Sequence, residues 1–192
     1  MCFPYKCPVF CEELTYHMGL NNLVNYLRFP VIPVKMDENG IDSGELERLA
    51  MAEFSKKDSI QPATCVVDGM PDLRACVYVI PAFHNPTGIL MSPVTAAAPT
   101  RLFAYDRPTD PEYVGGNVVS NGSFSKLLAP GLRLGWMELP PWLHAMWNKN
   151  AAIVSGGCLN MYTCGVVGAA LRHGLVTEFL QRLRRYYEVN LL

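Results

Sequence analysis

The order of a few short segments limits what this chain can fold into more than any bulk property does. Pro30-Val-Ile-Pro-Val34 is a short run of strand-forming residues; Thr64 to Asp68 (TCVVD) and Ala75 to Ile80 (ACVYVI) are two more. Between the first run and the others lies a segment in which Leu46, Leu49, Ala50 and Phe54 recur at helical spacing, with Ser43 as the expected cap. The polar turn from Met36 to Asp42, holding Gly40, separates strand from helix. Strand, helix and strand in this order predict parallel strands joined by a crossover helix, so the expected class is α/β.

Around this unit the patterns are weaker. Residues 12–25 read as a helix following a turn, with Tyr16, Met18, Leu20, Leu23 and Val24 as its apolar side chains. From Ile89 to Gly122 the chain is dense in Pro, Gly, Asp and Thr and reads as loop around two short apolar pieces. Pro140 and Pro141 open a helix whose Leu143, Met146 and Trp147 share a face. Residues 160–173 and 177–189 read as two further helices, divided at Gly174, with Thr177 capping the second.

A length of 192 residues with 50% apolar content is enough for one domain with a sizeable core. The 16 basic and 17 acidic residues are nearly balanced and form no basic run, which argues against nucleic acid or an anionic membrane and favours a small-molecule ligand. The first residues, MCFPYKCPVFCEEL, are broken by Pro4 and Pro8 and soon meet Glu12 and Glu13. They fit neither a secretory signal nor a membrane span, and they are too acidic and too poor in arginine for a mitochondrial transit segment. Seven cysteines, an odd number, are expected as free thiols rather than as a disulfide framework. Cys2, Cys7 and Cys11 lack the spacing of a zinc site, so no metal is expected. The expected location is the cytoplasm, a mitochondrial one being the alternative.

The groups that carry chemistry concentrate in SFSKLLAPGLRLGW, Ser123 to Trp136. Lys126 can form an imine with an aldehyde, Ser123 and Ser125 can donate to phosphate oxygens, and Arg133, after a Pro-Gly turn, offers a fork that matches a phosphate. Taken singly, such a lysine is a solvated charge and Asn85-Pro86-Thr87-Gly88 is a simple turn. Taken together they suit a phosphorylated aldehyde.

YVIPAFHNPTGIL and SFSKLLAPGLRLGW, in this order, resemble the paired signatures of the pyridoxal 5'-phosphate (PLP)-dependent aminotransferases of classes I and II, which are of fold type I. EELTYHMGL is similar to that family's E-E-P-T-Y segment, with Leu14 where the family has proline. The likeness runs from about Glu12 to the last helix and is greatest to the aminoadipate, kynurenine and aromatic branch. It implies a large domain with a mostly parallel sheet flanked by helices, PLP as cofactor, amino acid and 2-oxo acid substrates, and a homodimer. By the same resemblance Lys126 is the Schiff-base lysine and proton shuttle, Ser123, Ser125 and Arg133 hold the phosphate, Asn85 donates to the ring oxygen, and Tyr16 lies against the ring face. An adjacent cation, the imine and partial burial would each help Lys126 to lose its proton. His84 is expected to be a satisfied histidine with no catalytic part.

The chain also departs from the family. The aspartate that pairs with the pyridine nitrogen, on a strand ending in D-D-x-Y, has no counterpart; the stretch from Asn85 to Lys126 is too short for a helix and strand besides its loops. Tyr105 and Asp106 in RLFAYD are poor substitutes. The family's N-terminal substrate segment, its phosphate-binding helix start and its small C-terminal domain with the carboxylate-binding arginine also have no counterpart. The expectation is therefore an incomplete large domain over residues 1–192, either a transaminating enzyme or an inactive fragment that binds PLP or dimerises. The effector domain of a regulator is a third reading, disfavoured because no helix-turn-helix segment precedes the domain.

Overall fold

The computed structural model describes residues 7–56, 74–91, 101–111, 113, 115–155 and 160–190. It divides into two compact units, Met1–Gly115 and Gly116–Leu192.

The first unit is organised on β1 (Val9–Glu12), the middle strand of a three-stranded sheet with β2 (Val31–Val34) on one side and β5 (Cys76–Tyr78) on the other. Both neighbours run parallel to it, with Val9 opposite Val31 and Cys76. All four β1 residues are buried, as befits a central parallel strand covered on both faces. The strands expected at Pro30–Val34 and Ala75–Ile80 are β2 and β5, while Thr64–Asp68 lies outside the described residues.

The strand β1 itself did not stand out in the sequence, and the helix expected over 12–25 begins only at His17. It is α1 (His17–Asn21), running on into a π-helical turn at Asn22–Tyr26. The reason lies in β1's neighbours: Pro8 precedes it, and its residues do not alternate. Pro8 stands just outside the strand, where a missing N–H costs nothing and its carbonyl accepts from Cys76 N–H at 3.0 Å.

The polar turn after β2 is a small hairpin of β3 (Met36–Asp37) and β4 (Gly40–Ile41). The helix α2 (Ser43–Phe54) follows as expected, but its cap is Asp42 rather than Ser43. The Asp42 carboxylate accepts from Glu45 N–H at 3.0 Å and satisfies one of the free donors of the first turn.

The second unit holds an antiparallel pair, β6 (Ser120–Ser123) and β7 (Gly135–Glu138), then α3 (Pro141–Trp147), α4 (Ala151–Val154), α5 (Met161–Arg172) and α6 (Leu175–Asn190). The expected start of α3 at the proline pair is seen, with Leu143 buried on its inner face. Gly174, at φ +74°, ends α5 in the left-handed conformation that favours glycine, and α6 starts at once at Leu175. Thr177 therefore lies inside the helix and is not its cap. Among the described residues between Gly88 and β6 there is one 3-10 turn, Leu102–Ala104, and no strand or α-helix.

The described thiols of Cys7, Cys11, Cys76 and Cys164 are all free. Burial, with the Cys76 thiol adding to it, pushes Cys7 up to about 11, and burial also raises Cys11 and Cys76. Iodoacetamide at pH 8 should therefore alkylate exposed Cys164 well before Cys7 and Cys11, which should react only in denaturant. Peptide mapping checks this, and fast labelling of Cys7 in the folded protein would contradict its burial.

Candidate functional site

In the second unit, SFSKLLAPGLRLGW forms a hairpin whose two ends pair: Ser123 lies opposite Gly135, and Gly122 opposite Trp136. The fit is close. A Cβ on Gly122 would lie 2.2 Å from Trp136 Cζ2, so the indole lies directly on the glycine, and it also meets the Phe124 ring at 4.8 Å. Across the mouth of the connection Phe124 N–H donates to Leu134 O at 3.0 Å, and Leu128 N–H to Phe124 O at 2.8 Å. Lys126 and Arg133 are thereby both carried on one tied connection.

Lys126, Ser123 and Arg133 are exposed and Ser125 is half-buried. As a residue Lys126 is exposed rather than half-buried. Ser123 Oγ accepts from Ser125 N–H at 3.2 Å, which leaves the Ser123 hydroxyl proton free to donate outward. Arg133 closes the 3-10 turn Pro130–Leu132 in the left-handed region, at φ 47° and ψ 45°. That conformation costs a non-glycine residue about 1–2 kcal/mol, so an arginine there is poorly explained by the backbone alone. Asn160 Nδ2 steadies the same turn by donating to Leu132 O at 2.8 Å.

In the first unit, the Asn85–Gly88 turn follows β5. Asn85 is exposed, its peptide bond to Pro86 is cis, and its side chain makes no hydrogen bond among the described residues. Beneath it lies a buried polar network that begins on β1. Glu12, 1% exposed, accepts from Ile80 N–H at 3.1 and 3.3 Å and meets His84 Nε2 at 3.1 Å. His84, 2% exposed, meets Thr87 Oγ1 through Nδ1 at 2.8 Å. His84 is thus a satisfied histidine, as the sequence led one to expect. Its partner Glu12 was visible only as the acid ending an apolar run, because the partners lie 72 positions apart.

Tyr16, between β1 and α1, is 37% exposed and packs edge-on against the His17 ring at 5.3 Å. Next to it, Thr15 Oγ1 is buried with no hydrogen-bond partner among the described residues. Tyr16 and Asn85 thus belong to the first unit, and Ser123, Ser125, Lys126 and Arg133 to the second. The described residues contain no cluster of three or more His, Cys, Asp or Glu able to hold a metal ion, and no helix long and apolar enough to cross a membrane.

The donor chemistry of the hairpin fits PLP: an amine for the aldehyde, and hydroxyls with a fixed guanidinium for the phosphate. Glu12 has a different electrostatic role. Burial raises its carboxyl above the ordinary 4.5, opposed by the Ile80 N–H and by His84.

This geometry has two measurable consequences. Because Glu12 binds its proton more tightly when folded, its contribution to stability is fully present below 4.5 and is lost as pH rises through the raised folded value. Melting curves across that interval should therefore show a fall in midpoint with rising pH that is smaller in Glu12→Gln. Gly122→Ala should cost about 1–3 kcal/mol, since the indole must move, and should shift tryptophan emission to the red; a melt and a spectrum like those of the parent would refute the packing.

No protein-family profile matches the chain. An uncharacterized protein of Saccharomyces cerevisiae is 31% identical over 226 aligned positions, covering 95% of this chain and 51% of that protein. An uncharacterized HTH-type transcriptional regulator of Bacillus subtilis is 27% identical over 202 positions, 95% of this chain and 41% of the regulator. An L-tyrosine:2-oxoglutarate aminotransferase of Tapinella panuoides is 26% identical over 172, covering 68% and 30%. Among solved structures, the kynurenine aminotransferase of Pyrococcus horikoshii, crystallised with PMP, superposes with a TM-score of 0.66 at 20% identity over 97% of this chain and 47% of the enzyme. The chain spans about half the length or less of these relatives. The first alignment is longer than the 192-residue chain, so the yeast protein carries residues for which this chain has no counterpart. The chain thus has the fold of about half of a solved aminotransferase, and in sequence it is similar to parts of an aminotransferase and of a transcriptional regulator.

Proposed function

We propose that the chain is an incomplete aminotransferase large domain, made of both units, that binds PLP through Lys126 and the hairpin around it. The observation that carries this reading is Arg133, held on the same tied connection as Lys126 in a backbone conformation that glycine would adopt at less cost. The aminotransferases among its relatives support it.

When bound, PLP would supply an electron sink for the charge left on an amino acid's α-carbon. Lys126 would hold the aldehyde carbon and, once displaced by the incoming amine, Nζ would take the proton from the α-carbon. Ser123, Ser125 and Arg133 would hold the phosphate, Asn85 would donate to the ring oxygen, and Tyr16 would cover one ring face. Substrates would be an amino acid of the aminoadipate, kynurenine or aromatic kind and a 2-oxo acid, in a cytoplasmic homodimer.

A second reading is favoured by the gap in the alignment with the yeast relative: a chain lacking an internal segment would bind PLP or dimerise without transaminating. Transamination of aminoadipate, kynurenine or tyrosine by the purified chain would exclude it.

Adding PLP should produce a visible absorbance band that is missing in Lys126→Ala. Arg133→Ala should retain the band but weaken PLP binding about 10-fold or more, the loss of one charge-assisted contact. The same band in Lys126→Ala would overturn the assignment.

A further inference from the structure

The buried pair Glu12–His84 needs an explanation that stability does not supply. Taking two ionisable groups out of water costs several kcal/mol each, and apolar replacements of such pairs are often neutral or stabilising. The pair sits where the carboxyl ends of parallel strands present their loops, the side on which open α/β sheets bind ligands. Its contacts all lead to one turn. Glu12 holds Ile80 N–H, which leads out of β5, and His84 in the turn itself. His84 then organises the rest of the turn: Nδ1 meets Thr87 Oγ1 at 2.8 Å, its carbonyl accepts from Gly88 N–H at 2.6 Å, and its N–H donates to Ile89 O at 3.0 Å. Phe83, immediately before it, is 75% exposed and stands at φ 49°, a conformation that a bulky residue keeps only where its surroundings impose it.

Asn85 projects from this held turn with an exposed side chain. We propose that Glu12, His84 and Thr87 are positioning residues: a clamp, buried at Glu12 and His84, that fixes the Asn85 turn to the end of the central strand. That the held amide serves the PLP ring oxygen rests on the function proposed above; the clamp itself does not. Glu12→Gln keeps an acceptor for Ile80 N–H and His84 and should preserve the clamp, whereas Glu12→Ala removes it.

The test has two arms on the full chain. Hydrogen exchange over residues 80–91 reads the turn directly: Glu12→Ala should speed exchange of the His84, Gly88 and Ile89 amides about 10-fold, and Glu12→Gln less than about 3-fold. PLP titration then reads the consequence. Glu12→Ala should weaken binding, Glu12→Gln should rescue it, and Glu12→Ala combined with Asn85→Ala should bind no worse than Asn85→Ala alone. Unchanged exchange in a folded Glu12→Ala protein overturns the clamp, and additive losses in the double variant overturn its action through Asn85. If Glu12→Ala does not fold, Thr87→Val, altered at the exposed end of the network, takes its place and must speed exchange at Gly88. Failure of the parent chain to give a Lys126-dependent PLP band would refute the proposed function, while the exchange arm would still decide the clamp.

Discussion

Burial of four consecutive residues, Val9–Glu12, is the constraint on which the first unit depends. Phe10 and Val34 have essentially no exposed surface, and both flanking strands take their register from β1. A strand so enclosed would ordinarily end in an apolar residue. Here it ends in a carboxylate whose burial is offset only by one backbone N–H and one imidazole. Core and turn therefore share a residue, and whatever holds the sheet together also holds Asn85.

The second unit is built on shorter-range logic. The hairpin closes because Gly122 leaves room for Trp136, and the turn between its strands is held by neighbours in the same stretch of sequence and by Asn160. Its helices are less covered. In α6, Val176 is buried but Leu175, Phe179, Tyr186 and Tyr187 are exposed, although the helix carries a marked apolar stripe. A helix of that pattern suits a surface that packs against something further.

The comparisons and the site geometry bear on one another. The relatives include an aminotransferase and a transcriptional regulator, so fold alone does not choose between a catalyst and an effector domain. What favours cofactor chemistry is local: a left-handed arginine and an exposed lysine on one tied connection. Among the described residues between Gly88 and Ser120 there is one 3-10 turn and no strand.

Composition and order alone determined the α/β class, the strands expected at 30–34 and 75–80 and found at 31–34 and 76–78, the helix after the polar turn, and the identity of the lysine, arginine and serines grouped in one motif. These were legible because each rests on contacts between residues near in sequence, where spacing and turn chemistry speak directly. The cap of α2 was misread by one residue, being Asp42, since neighbouring polar residues compete for the same donors, and α6 starts at Leu175, ahead of the expected cap Thr177, because only the backbone path chooses. The central strand and the Glu12–His84 pair were decided by tertiary structure. A fully buried strand shows no alternation, and a carboxylate 72 positions from its histidine has no local signature. Only the folding of β1 between β2 and β5 brings the two together, and the low dielectric of that interior is what makes their pairing matter.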